Sequence, residues 1–104
     1  MPWPRRGWHL TQGGLNNLVY YLCILGTSSR RSFVLKSARR LMEAGQEHQS
    51  NSLMLTAARA ILQFGSDPAE RAMAKDTLAE LAVSAMASTK ERREALIHLQ
   101  FGEG

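Results

Sequence analysis

The side chains of this 104-residue chain with the most chemical potential are three histidines, one cysteine and one pair of carboxylates. A zinc site needs three or four convergent ligands. His9, His48 and His98 are far apart in sequence, with no His or Cys partner at ligand spacing. Asp76 and Glu80 are spaced i, i+4, which puts both on one helix face, but Lys75 adjoins them and nothing nearby supplies the desolvation that separates two carboxyl pKa values. Cys23 and the serines lack a neighbouring base to activate them as nucleophiles. The run Thr11-Gln12-Gly13-Gly14 follows no strand and precedes no Gly-Lys-Ser/Thr, so it is not a phosphate loop. The expectation is a protein that is not an enzyme and carries no metal or cofactor.

Charge offers a second kind of chemistry. The formal net charge is +4, and Arg5, Arg6, Arg30, Arg31, Lys36, Arg39 and Arg40 all lie in a first stretch of 40 residues that contains no acid. Such a basic half attracts either phosphate or an acidic protein surface. Arg30, Arg31, Lys36, Arg39 and Arg40 could neutralise phosphates while Phe33 stacks on a base, so a small basic helical nucleic-acid-binding protein is one reading. A recognition helix should also present Asn, Gln or Ser in its first turn, and here only arginines are suitable. The alternative is a basic rim around a protein-binding surface.

The elements that position these residues are helical throughout. No alternating apolar run reads as a strand, and Ala, Leu, Met, Glu, Gln and Arg dominate. Residues 1–14 form an N-terminal arm broken by Pro2, Pro4, Gly7, Gly13 and Gly14. A first helix is expected over residues 15–25, stopped by Gly26. A second begins after a Ser28 or Ser29 cap and ends at Gly45, with Val34, Leu35, Ala38, Leu41 and Met42 as its core face and Phe33 among the cations. Residues 46–51 read as a loop or a solvated first turn. The third helix covers residues 52–64 up to Gly65.

Ser66-Asp67-Pro68 with Glu70 marks the next start: a cap, Pro at the first helical position, and an acid placed for a capping box. This fourth helix is expected to reach about residue 87 on a stripe of Ala74, Leu78, Leu81, Ala82 and Ala85. Ser88 with Glu91 either caps a fifth helix over residues 89–101 or is a polar turn inside one long helix. The fold class is therefore all-α, a compact four- to five-helix single domain.

Two targeting signals are set aside. The apolar run after Arg5-Arg6 is interrupted by Gly13, Gly14, Asn16 and Asn17, and the Arg30-Arg31 pair is followed by Ser37-Ala38-Arg39-Arg40, not by an apolar stretch. No membrane-spanning run of about 20 apolar residues is present. A lone cysteine fits a reducing compartment, so a cytoplasmic location is expected. Cys23 reads as a small buried hydrophobe, with a dimer-linking thiol as its alternative.

The first helix is apolar on two opposite faces. At 100° per residue, Leu15, Leu18, Val19, Leu22 and Leu25 share one arc, and Tyr20, Tyr21 and Ile24 share the other. The third is similarly over-apolar, leaving only Thr56, Arg59 and Gln63 polar. A chain of this size has little interior to cover both. The surplus implies a partner, and a helical homodimer is expected. Candidate interface residues are Trp3, Trp8, Leu18, Tyr20, Tyr21, Ile24, Phe33, Leu55 and Leu62, with the five cations above as a basic rim. For the tryptophans, an arm folded back over the core is an equal alternative.

The stretches Leu10-Thr11-Gln12-Gly13-Gly14-Leu15-Asn16-Asn17-Leu18-Val19-Tyr20-Tyr21-Leu22 and Ser66-Asp67-Pro68-Ala69-Glu70-Arg71, with the length and helical character, resemble the QslA-type family of small bacterial quorum-sensing antiactivators. That resemblance implies an all-helical homodimer. It also implies a function: binding a LuxR-type transcription factor, LasR, at its ligand-binding domain and blocking its dimerisation and DNA binding. It carries no residue-level roles.

Overall fold

Local signals decide where each helix begins, and burial decides how the helices stack. A computed structural model describes residues 11–26 and 28–103, which form five α-helices and no strand. These are α1 (Gln12–Leu25), a 3-10 turn (Ser28–Arg30), α2 (Arg31–His48), α3 (Asn51–Phe64), α4 (Pro68–Val83) and α5 (Thr89–Glu103).

Four of the starts are side-chain capped. Thr11 accepts from the Gly14 N–H, Ser50 from the Leu53 N–H, and Asp67 from the Glu70 N–H ahead of Pro68. At α5 the cap is reciprocal: the Ser88 N–H donates to Glu91 Oε1 at 2.9 Å, and the Glu91 N–H donates to Ser88 Oγ at 3.1 Å. That box settles the open alternative in favour of a separate fifth helix. The fourth helix accordingly stops at Val83, short of residue 87, and Ala85 sits exposed in the corner instead of on the core stripe. Arg92 Nη1 ties the corner together by donating to the Ser84 and Ala87 carbonyls.

Three other boundaries differ from the sequence expectation. The second helix, expected to follow a Ser28 or Ser29 cap, starts at Arg31 behind a 3-10 turn, and its N-cap residue Arg30 makes no side-chain cap hydrogen bond. With Thr11 as cap, α1 starts three residues early, so Gly13 and Gly14 belong to the helix and not to the arm. Gly45 does not stop α2 either. It is buried inside the helix, where an added Cβ would lie 2.6 Å from Met54 Cγ and 3.0 Å from Met54 N. The glycine therefore permits close approach of α2 and α3, and α2 ends at Gln49 in the left-handed conformation (φ 52°).

Helix α3 is the centre of the molecule, packing against α1, α2, α4 and α5. That position answers its excess of apolar surface from within a single chain. Ala57, Ala58, Ala60 and Ile61 are fully buried around it, joined by Val34, Ala38 and Leu41 of α2, Ala74 and Leu78 of α4 and Ala95 of α5. Leu55 and Leu62, expected at an interface, are only 7% and 6% exposed and belong to this core. They are corrected to core residues.

Candidate functional site

The over-apolar character of α1 has a different outcome. Its inner face delivers Val19 and Cys23 to the core at 0% and 3% exposure, with Leu15, Leu18 and Leu22 half-buried beside them. Its outer face leaves Tyr21, Ile24 and Leu25 at 56–57% exposure. Leu25, expected on the same arc as Leu15, Leu18, Val19 and Leu22, is the last residue before the Gly26 turn (φ 67°) and projects outward. The helix end is fastened from α3, where Gln63 Nε2 donates to the Cys23 carbonyl at 2.8 Å.

Tyr20 lies at the edge of this outer face. Its ring carries the Arg59 guanidinium 5.1 Å from the centroid, and its hydroxyl makes a long hydrogen bond of 3.5 Å to Glu94 Oε1 of α5. Phe33, on α2, is exposed as the wheel predicts. Trp3, Trp8 and His9 fall outside the described residues, as do Arg5 and Arg6.

The basic rim divides in two. Arg31 Nε donates to the Phe64 carbonyl at 2.7 Å, closing the C-terminal end of α3 together with Arg71, which donates to the Leu62 and Gly65 carbonyls. Arg39 makes a two-pronged contact with Glu70 of α4, at 2.6 and 3.0 Å. That hydrogen bond holds the Glu70 carboxyl below the usual range and raises the already high pKa of Arg39. Arg30, Lys36 and Arg40 have no hydrogen-bond or ion-pair partner among the described residues. Two of the five expected cations thus have structural duties.

Between α1 and α5, with α3 as floor, lies a polar cleft of about 210 Å³. Asn16, Tyr20, Thr56, Arg59, Lys90 and His98 contribute to its lining. Burial, seconded by the charge of Arg59, pushes the His98 pKa down from 6.5, against the pull of Glu94. The sequence carried a signal for this cleft: Thr56 and Arg59, on the polar stripe of α3, line it, and Gln63 of the same stripe reaches the Cys23 carbonyl of α1.

The remaining candidates stay apart. Asp76 and Glu80 are exposed on α4, and His48 is exposed at the end of α2. Among the described residues no group of His, Cys, Asp and Glu is arranged to hold a metal ion. None of their helices is long and apolar enough to cross a membrane. Taken together, the described residues form an all-helical protein with an exposed apolar face on α1, further exposed apolar side chains at Val83, Met86, Leu96 and Ile97, and a polar cleft between α1, α3 and α5. No family model, curated protein or solved structure matches the chain.

Proposed function

We propose that this protein is a cytoplasmic, protein-binding antiactivator, whose outer α1 face engages another protein's helical surface. In its specific form, suggested by the likeness to QslA-type antiactivators, the partner is the ligand-binding domain of LasR, a LuxR-type transcription factor, and the consequence is loss of that factor's dimer and its hold on DNA. A homodimer of this chain is part of the same proposal. The observation that supports it is the outward placement of Tyr21, Ile24 and Leu25 on a helix whose opposite face delivers Val19 and Cys23 to the core. Fully burying a large apolar side chain contributes about 1.5–3 kcal/mol, so such a face can displace a partner subunit of similar chemistry.

The alternative, a small basic helical nucleic-acid-binding protein, retains Arg30, Lys36 and Arg40 as free cations, since Arg31 and Arg39 are held internally. One mobility-shift experiment separates the two. A preformed LasR–operator complex is challenged with the wild-type chain or with the Tyr21→Asp/Ile24→Asp double variant. Release of free operator by wild type alone supports the antiactivator. Retention of LasR on DNA with both proteins overturns it, and a direct shift of free operator by this chain favours the alternative.

A further inference from the structure

Arg59 is the least expected cation in the molecule. It stands on the central helix, half-buried, with its guanidinium over the Tyr20 ring. It has neither a hydrogen bond nor an ion pair among the described residues. Arginine presents five donors in a planar fork, and half-buried ones normally find acceptors. Across the same cleft, Asn16 Nδ2 donates to Ser52 Oγ at 3.1 Å, but its Oδ1 is inaccessible to solvent and unpartnered. The cleft therefore holds an unmatched donor fork, while the unmatched Asn16 acceptor is sealed beneath its wall.

We propose that the cleft between α1, α3 and α5 binds a small monocarboxylate, with Arg59 as its anchor. The carboxylate takes the guanidinium fork in a paired, charge-assisted contact. The Tyr20 ring supports the guanidinium from the other side. Net charge selects a monoanion. Arg59 and Lys90 face one carboxylate, Glu94, while His98, pushed below 6.5 mainly by burial, is neutral at pH 7. One positive charge is left over, and a phosphate dianion would meet repulsion from Glu94. At about 210 Å³ the cleft suits only a small ligand. This site does not depend on the partner-binding reading: it lies on other residues, sharing only Tyr20 at its edge.

The test is an NMR titration of the full chain, following the Arg59 Nε and Asn16 side-chain amide signals. The probes are L-lactate, L-serine, acetate, lactamide and inorganic phosphate. Saturable shifts with lactate and acetate are expected, with zwitterionic serine weaker, lactamide inert and phosphate weaker than the best carboxylate. Arg59→Gln should weaken the best carboxylate by about tenfold or more. Lys90→Gln, at an exposed position that the core does not need, should weaken it by a few fold and serves if Arg59→Gln does not fold. The proposal is overturned if no carboxylate saturates, if lactamide or phosphate binds as well, or if both variants keep wild-type affinity.

Discussion

Cys23 shows how a residue that could do chemistry is kept from doing it. Burial pushes its thiol up to about 11, although the charge of Arg59 pulls the other way. At pH 8 the thiolate fraction is then on the order of a thousandth. Iodoacetamide should alkylate the native protein at least about tenfold more slowly than the urea-unfolded chain, and equal rates would remove Cys23 from the core. The dimer-linking thiol considered from sequence has no access to a partner at 3% exposure. His98 behaves in the opposite sense to a salt-bridged histidine. Its folded pKa lies below the usual 6.5, first through burial and then through Arg59, with Glu94 opposing. The unfolded chain therefore binds more protons once pH falls below 6.5, and folding stability present above that pH is lost as pH falls through the folded pKa. Urea midpoints between pH 7.5 and 5 should fall, and His98→Gln should flatten that slope. Arg59, Glu94 and Lys90 are the charged groups sharing the cleft with it.

At the scale of elements, caps were the most legible signals. Asp67-Pro68 and Ser88-Glu91 fix the starts of α4 and α5 where the sequence places them, because a side-chain cap needs only neighbours three residues away. Asp67→Ala should cost about 1 kcal/mol in a denaturant titration. Glycine was less legible. Gly26 ends α1 as expected, but the same residue type at Gly45 marks where α2 and α3 touch. A glycine that leaves room for a neighbouring helix looks identical in sequence to one that serves a turn. Gly45→Val should destabilise by about 1–3 kcal/mol through overpacking against Met54, whereas an unchanged urea midpoint would mean the interface has slack. Helix wheels gave the faces of α1 and α2 well, apart from Leu25. They misread α3, since a wheel records how much of a helix is apolar but not how many helices surround it.

For the whole molecule, that distinction decides function. Both α1 and α3 have more apolar surface than one stripe requires, and the sequence treats them alike. The fold separates them: four neighbours absorb the surplus of α3, including Leu55 and Leu62, and none among the described residues covers Tyr21, Ile24 and Leu25 on α1. The candidate site was thus half legible. The cleft around Arg59 was visible only as a polar stripe on an apolar helix, because its walls are supplied by α1 and α5, far from Arg59 in sequence. Because the outer face of α1 contributes nothing to the core, Tyr21→Asp/Ile24→Asp should leave the melting temperature within a few degrees of wild type.

The most direct measurement is the affinity of purified LasR ligand-binding domain for three versions of this chain by isothermal titration calorimetry. These are wild type, Tyr21→Asp/Ile24→Asp, and Val83→Asp/Met86→Asp, which alters the exposed α4–α5 end as a control. Hot-spot losses of about 2 kcal/mol or more predict a drop of at least about thirtyfold for the α1 variant and little change for the control. Equal binding by all three, or no binding by wild type, would contradict the account.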